Sequence, residues 1–471
     1  MTPSSAASGD SFDGLRQLWA LLGGESEALD RILLHGEAAL PSSFRLGILA
    51  QSTIGAVALM ASEIHRMRKA NAGESVSVEA RHALAEFRSE RYLRLDGGPA
   101  PELWDAIAGA YQAGDGRWLR LHTNFPHHRD GVLKLLDCGN DRTAVAAALL
   151  NWSAEAFEAE AARRGLVVAM MRSFEEWDNH PQGQTVAKMP PVIIEKLEDN
   201  APEQLPDRNE RPLGGLRVLD LSRIIAGPVT GRALAAHGAD VMRISAPHLP
   251  FIAPLVMDTG RGKLSAYLNI TLENDLNSLK NIVNSSDVFL QAYRPGALQN
   301  YGLGPEDLAA LRPGLIYGSL SAYGHEGPWA ERRGFDSLVQ TASGFNAAEA
   351  QAAGTEGPKP LPCQALDHAT GYLLAAGILA ALKRRAEQGG SWHVRVSLAA
   401  TGRWLRSFGR APNGFAVPDQ KIEELTDLME DSLTPFGKIS AIKHAGRLSA
   451  NPPYWERPSV PLGTHKAAWP E

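Results

Sequence analysis

Two carboxylates, Asp336 and Asp367, carry the first chemical signal in this chain. Asp367 lies in Cys363-Gln-Ala-Leu-Asp-His-Ala-Thr-Gly371, at the mouth of the apolar, small-residue run Tyr372 to Leu382. A carboxylate there stands at the start of a buried helix, where free backbone N–H groups favour an anion. Asp336 lies in Gly334-Phe-Asp-Ser-Leu-Val-Gln-Thr-Ala-Ser-Gly344. Alone, each would be a plain helix cap; brought together in one cleft, such a pair becomes a candidate for chemistry. Cations are the second signal. Arg223, Arg243, Arg261, Lys263 and Arg294 fall in loops near helix starts, where they could hold phosphates or simply be solvated. His122, His127 and His128 invite a metal reading, but their spacing fits no standard site and no Cys or acidic residue stands near, so no metal is expected. Cys363 reads as a small buried filler rather than a reactive thiol.

The elements that position these groups are legible in the second half. Leu216 to Leu221, Asp240 to Ile244, Ser286 to Gln291 and Leu315 to Leu320 are buried-strand patterns. Helices are expected at about Pro228 to Gly238, 272–284 and 305–312. Strands alternating with helices imply a doubly wound, mainly parallel sheet of Rossmann-like α/β class. Such sheets bind ligands beyond the carboxyl ends of their strands, so the loops at 222–228, 245–263, 291–296 and 321–336 should crowd one edge. The turn Leu221-Ser-Arg-Ile-Ile-Ala-Gly-Pro228 lacks G-x-G-x-x-G, and no Walker A motif occurs, which argues against NAD or ATP. In the first half, a helix is expected over Ser43 to Lys69 and another through Ala83 and Phe87. Arg117 to His122 should form a strand leaving a Gly-Asp-Gly turn, followed by helices near 131–148 and 153–164 and a short strand at Val167 to Met171. Ser173-Phe-Glu-Glu176 is a capping box.

At 471 residues, with 44% apolar and 21% charged side chains, the chain should hold two or three folded units. A net charge of −6 argues against nucleic acid or an anionic membrane surface as partner. Two distant cysteines, Cys138 and Cys363, fit a reducing compartment. With no signal pattern and no apolar run near the roughly 20 residues of a span, the expectation is cytoplasmic.

Several short motifs, in order, resemble the class III CoA-transferases, the CaiB/BaiF family. They are Gly215 to Pro228, His237 to Ile244, Arg261-Gly-Lys263, Tyr293-Arg-Pro-Gly-Ala-Leu298, Tyr301-Gly-Leu-Gly304, Gly324-His-Glu-Gly-Pro328 and Gly334-Phe-Asp-Ser-Leu-Val-Gln340. The resemblance implies that fold type, with a smaller α+β domain, and CoA or acyl-CoA as substrate rather than as a permanently bound cofactor. It implies that Asp367 is a nucleophile forming an acyl anhydride and then an aspartyl-CoA thioester, before CoA passes to a carboxylic acid acceptor. By the same resemblance Asp336 is a second active-site acid, and Arg223, Ile225, Ala226, Leu268, Asn269, Tyr293, Arg294 and Arg333 contact CoA. The chain departs from the family pattern at Ile225, often Gln in formyl-CoA transferases, at Ser245, usually Glu, and at Asn300, commonly Arg. Phe335 replaces the His of the family's racemases, which disfavours the alternative of an acyl-CoA racemase or epimerase. A CoA-binding or interaction protein that has lost catalysis is the other alternative.

Residues 51–83 align without gaps onto 367–399, with identities at Gly55, Arg68, Ala70, Gly73, Ser75, Val78 and Ala83. Gly114 to Trp118, Trp152 to Gly165, Val167 to Ala169 and Ser173 to Gln182 resemble the family's small-domain hairpin and closing helices. Val460 to His465 resembles its C-terminal strap. The expected organisation is a tandem of two incomplete copies: residues 1–14 disordered, 15–182 an N-terminal half like the later part of a family subunit, and 183–212 a linker. Residues 213–404 are the CoA-binding domain and 405–471 a shortened tail. Gln51 stands where the second copy has Asp367, which implies one working site per chain. The family's interlocked dimers imply a homodimer or an intramolecular pseudo-dimer.

Overall fold

The computed structural model describes residues 9–69, 73–206 and 210–470. Helix α1 (Gly9–Leu22) buries Leu15, Leu18, Trp19 and Leu22. Its start overturns the expectation of disorder through residue 14: apolar residues at helical spacing give it a face to bury. Residues 1–8, and the repeat position Ala70, lie outside the described residues. Helix α2 (Leu46–Lys69) is buried from Leu46 to His65, apart from Gly47. It leads into a strand at Val76–Glu79 that pairs in parallel with Ile32–His35.

The stretch expected as a linker carries strand β1 (Val192–Glu198), whose Val-Ile-Ile start outweighs the polar residues around it. The chain then builds β2 (Arg217–Leu221), α3 (Ala226–Ala236), β3 (Asp240–Ser245), α4 (Ala253–Thr259), β4 (Lys263–Tyr267), β5 (Val288–Gln291), β6 (Ile316–Ser321), α5 (Asp336–Ala342), α6 (Ala365–Gln388) and β7 (Ser391–Ser397). The sheet order is β4-β3-β2-β5-β6-β7-β1. All neighbours are parallel except β1, which runs antiparallel to β7 with Val192 opposite Val396. From β2 the chain winds outward through β3 and β4, then returns to β5 and winds the other way. The strand order therefore reverses between β2 and β5, the place where doubly wound sheets bind ligands.

Three of the seven strands escaped the sequence reading, and each for a physical reason. The charge in β4, Lys263, is fully buried against Asp220 at 2.6 Å, and β7, although Trp392, Val394 and Val396 alternate with polar residues as in a strand, is wedged directly between α6 and a helix starting at Leu398. The helix expected over 131–148 is two, Pro126–Leu136 and Arg142–Leu149, because Asp137 adopts a left-handed conformation between them.

A smaller α+β unit surrounds Gly109–Gln112, Trp118–Leu121 and Val168–Met170, an antiparallel sheet backed by Pro126–Leu136 and Ala154–Arg163. The capping box at Ser173 forms, with Glu176 reaching back to the Ser173 N–H. The tail is not separate from the first half: Gly437–Ile442 pairs with Arg94–Leu95, and Arg447–Leu448 pairs with Val76 and Ser77. The strap at Val460 to His465 docks on β4, where the His465 N–H donates to the Ser265 carbonyl at 2.7 Å.

Helices α2 and α6 pack together in the main core. Each is 24 residues long and apolar enough to span a bilayer, contrary to the expectation that no run approaches that length. Both are instead buried inside the protein, α6 completely over its most apolar window. A continuous coat of small side chains suits a helix surrounded by other elements as well as one in lipid.

Candidate active site

Asp367 occupies the first turn of α6, and Asp336 opens α5. Neither carboxylate caps its own helix. Asp336 instead accepts the N–H of Asp367 at 2.9 Å and the Nε2 of Gln340, so it caps the helix that carries Asp367. Gln340 is held in turn, its Oε1 accepting the Leu361 N–H at 2.9 Å. The Asp367 carboxyl accepts no hydrogen bond from the described residues. Burial, then the charges of Asp336 and Glu90, push it well above the ordinary aspartate range. Burial raises Asp336 to about 6 against the hydrogen bonds it accepts.

Two cavities meet at Asp367. One, of about 570 Å³, lies at the reversal of strand order, between the loop after β2 and the loop after β5. Arg223, Ile225, Ala226, Tyr293 and Arg294 line it together with Asp367. It adjoins an open cleft of about 1030 Å³ that adds Arg333, His127 and His128 to Arg223, Tyr293 and Arg294. Three guanidiniums thus face one space. Arg223 donates to the Pro250 carbonyl at 2.7 Å and lies over the Phe125 ring, and Arg294 donates to the Glu331 carbonyl at 3.2 Å, so neither is neutralised by these contacts. Burial, then His127, Arg333 and Arg223, hold His128 near 3, so it stays neutral there. The region is built for an anion.

The other cavity has a volume of about 500 Å³. Asp367 and Asp336 form one wall, and Glu90, Trp104, His122 and Asn124 of the first half form another. Burial, then Arg120 and His128, hold His122 near 3. Its ring stacks on Phe335 with centroids 3.9 Å apart, and neither of its nitrogens has a partner among the described residues. Glu90 pairs with His368 at 3.0 Å; burial works to raise it, and His368 holds it below the ordinary range.

Local sequence explains the closeness of these walls. Gly371 sits one turn beyond Asp367, and a Cβ there would come within 2.4 Å of the Ala226 carbonyl oxygen. Its absence lets α3 and the loop before it press against α6. In that loop Ile224 is held at φ +73°, a conformation that a β-branched residue adopts only when its surroundings impose it. Such strain costs about 1–3 kcal/mol and clusters at functional sites. Ile224 lines both cavities that meet at Asp367.

The structure brings together Asp367, Asp336, Arg223, Ile225, Ala226, Tyr293, Arg294 and Arg333. It does not bring Leu268 and Asn269 to these cavities: they follow β4, two strands from β2 on the same sheet edge, where the Asn269 N–H donates to Asp275. Three of the cations that could have held phosphates or been solvated are structural instead. Arg261 is bound to Asp258 at 2.8 Å, Lys263 to Asp220, and Arg243 donates to Thr259 at 2.7 Å, all of them buried. Cys363 is buried, and burial pushes its thiol to about 12, so it is no nucleophile at neutral pH. Sequence reasoning missed Glu90, Trp104, Asn124 and Ile224, and weighed His122 only as a metal ligand. No local signal marked them, since Glu90 sits in a run of charges with Glu86, Arg88 and Arg91.

A family model described as CoA-transferase family III matches residues 213–411. The chain is 36% identical over 209 residues to the acetyl-coenzyme A transferase nodX of Hypoxylon pulicicidum, covering 43% of this chain and 35% of that one. It is 36% identical over 201 residues to a "probable fatty acyl-CoA transferase" of Mycobacterium tuberculosis, covering 40% of this chain and 50% of that protein. The chain thus spans half or less of the length of these two relatives. Against an acyl-CoA transferase of Gibberella moniliformis it is 30% identical over 386 residues, covering 73% of this chain and 68% of the relative. On that extended match, and on the family model over the sheet that carries the site, the chain belongs to CoA-transferase family III.

Proposed function

We propose that this chain moves CoA from an acyl-CoA thioester to a carboxylic acid, with Asp367 as nucleophile. The observation that carries this reading is the Asp367 carboxyl itself, buried, free of hydrogen bonds from the described residues and facing two cavities at once. The cation-lined space suits CoA, with Arg223, Arg294 and Arg333 on its phosphates, Tyr293, Ile225 and Ala226 along its path, and Leu268 and Asn269 further out on the sheet edge. The second cavity, walled by the two aspartates, Trp104 and Leu103, suits the acyl group. An Asp367 oxygen attacks the thioester carbonyl; the C–S bond breaks, CoA thiolate leaves, and a mixed anhydride remains. The thiolate then attacks the Asp367 carbonyl, expelling the first acid as its carboxylate and leaving an aspartyl-CoA thioester. The acceptor carboxylate attacks this thioester, and the released thiolate takes the acceptor's acyl group, restoring Asp367. Splitting one hard exchange into such steps is the advantage of covalent catalysis. Asp336 keeps the α6 N-terminus in place and so positions the nucleophile.

Incubation with an acyl-CoA followed by hydroxylamine should mark Asp367. An unmodified Asp367 peptide together with full activity in Asp367→Asn would end this reading. One observation favours α-proton exchange as a second reading: His122 stacks on Phe335 and shares the chamber with Asp336. Deuterium wash-in at the acyl α-carbon without an acceptor acid would support it.

We further propose that the chain is a tandem of two incomplete copies acting as an intramolecular pseudo-dimer. Helix α2, the strand Val76–Glu79 and the helix Ala80–Glu86 repeat the order of α6, β7 and the helix Leu398–Ser407. Residues from 213 onward are little more than half of the chain, so a relative matching 73% of it also takes in part of the first half. In this reading residues 15–182 supply the acyl-side wall and residues 213–404 bind CoA. A fragment 206–471 that folds and transfers CoA alone would refute it. Free thiols at Cys138 and Cys363 fit a cytoplasmic setting.

A further inference from the structure

Carboxylate attack on a thioester drives an electron pair onto the acyl carbonyl oxygen. That charge would form beside Asp336, Asp367 and Glu90, which all line the same cavity, so it needs a hydrogen-bond donor held there in advance. The start of α6 has none to spare at the nucleophile, because the N–H groups of Leu366 and Asp367 both go to Asp336. Among the side chains, Asn124 gives its amide to the Leu103 carbonyl at 3.0 Å and takes the Asp105 N–H at 3.0 Å. Arg91, Trp104 and Gln364 also line the cavity, but each is in part open to solvent. Two buried donors on the wall are left without a partner among the described residues, the His122 ring and the Ser337 hydroxyl.

Of these two, His122 is the one held in place. It follows the strand Trp118–Leu121, and its backbone N–H donates to the Val167 carbonyl at 3.0 Å. Its ring lies on Phe335 with centroids 3.9 Å and planes 11° apart, and meets Trp104 edge-on at 5.8 Å. The plane of the ring is therefore set by the residue just before Asp336, whereas a serine hydroxyl rotates. Both ring nitrogens are buried and unpaired, and a neutral imidazole carries its proton on one of them. A donor left unmatched in a side chain only 5% exposed destabilises the resting fold, and a substrate oxygen would match it. Burial, then Arg120 and His128, keep the ring uncharged. An imidazolium would pair with the Asp367 carboxylate and blunt it as a nucleophile. A neutral N–H polarises a carbonyl without doing so.

We infer that His122, supplied by the first half, donates a hydrogen bond to the acyl carbonyl oxygen of the thioester while Asp367 attacks it. An Asp367 oxygen bonds to the carbonyl carbon, and the π pair moves to the oxygen, where the His122 N–H holds it. The pair then returns as the C–S bond breaks and its electrons leave on the CoA sulfur; the proton stays on His122 throughout. The role rests on the CoA-transfer reading above and adds a catalytic residue to it.

The test uses the full chain with saturated acyl-CoA thioesters from acetyl to octanoyl, and reads a single turnover as CoA thiol released in the presence of hydroxylamine. For the best donor, the matching S-alkyl-CoA has a methylene in place of the carbonyl, so its Kd reports binding without the oxygen. His122→Phe, which keeps the stack on Phe335, should slow thiol release by roughly 100-fold or more and leave the Kd of the thioether unchanged. His122→Gln, which restores an N–H, should recover part of the rate. Should His122→Phe fail to fold, His122→Gln and His122→Met, similar in size and different in the donor, should show the same contrast. Full-rate release in His122→Phe overturns the role while leaving Asp367 as nucleophile. An equal weakening of the thioether overturns it too, since His122 would then only pack, as does a loss confined to Ser337→Ala. Deuterium wash-in at the acyl α-carbon that His122→Phe abolishes would make the ring a base and exclude this role. No thiol release from any donor, with Asp367 unlabelled, removes the CoA-transfer reading and this role with it.

Discussion

Helices α2 and α6 have equal length, similar composition and a shared packing surface, yet they treat the two positions that the proposed repeat pairs in opposite ways. On α2 that position is Gln51. Its Nε2 donates to the carbonyls of His35 at 3.0 Å and Val78 at 3.1 Å, and its Oε1 accepts from Ser11 at 2.9 Å. The amide staples three segments and has nothing left to offer. On α6 the position is Asp367, whose carboxyl accepts nothing from the described residues and opens onto two cavities. Burial is nearly the same for the two, so exposure does not separate them. What separates them is satisfaction: a polar side chain with every bond made supports the fold, and one held without bonds is available for reaction.

The contrast breaks most sharply at Asp367. Asp367→Asn should lower kcat by roughly 10⁴-fold or more, as loss of a covalent nucleophile does, in a steady-state assay of CoA transfer. If half of the activity survived, the nucleophile would have to be sought elsewhere. Gln51→Glu keeps the shape but removes both donors from buried carbonyls and adds a charge. Unfolding in denaturant should show a loss of roughly 3 kcal/mol or more, with activity per folded molecule unchanged. An unaltered midpoint would mean that the staple is not one.

A smaller effect concerns pH. A raised nucleophile pKa means that Asp367 is protonated and inactive at low pH, and that kcat/KM for acyl-CoA climbs as pH rises through that value. Asp336→Asn removes a neighbouring negative charge, so this limb should move to lower pH. A limb that stays in place would show that Asp336 acts only by capping α6. The smallest effect is thermal. The charged form of Asp367 burdens the folded state above its raised pKa, and the burden vanishes below the unfolded value near 4. Asp367→Asn should therefore raise the melting temperature by about 2 °C near pH 8 and lose that gain by about pH 4. Equal shifts at both values would point to packing instead of charge.

The sheet, the Asp367 helix and the cation-bearing loops after β2 and β5 were legible because each has a local signature: apolar runs of strand length, a small-residue helix, arginines at loop positions. Strand β4 was hidden by Lys263, whose charge is matched by Asp220 only in three dimensions. The cavity wall that the first half supplies was hidden for another reason. Glu90, Trp104, His122 and Asn124 lie far from Asp367 in sequence, and no periodicity tells that the first half folds over the second. Ile224 gave no signal either, since nothing in a pair of isoleucines announces a left-handed backbone. The cations divided on the same principle: Arg223 and Arg294 stayed available, while Arg261 and Lys263 found carboxylates that only the fold supplies.

Strand β1 has a further consequence for how the molecule can be taken apart. It belongs to the polypeptide before residue 206, yet its hydrogen bonds are made to β7, far downstream. A chain divided between residues 205 and 206 would leave one fragment with a dangling strand and the other with an unfilled sheet edge. The two pieces would find each other as a strand-addition pair, with α2 docking on α6 behind it. Mixed fragments should then regain function in proportion to their concentration, a natural split reporter whose dose–response reads the affinity between the two halves.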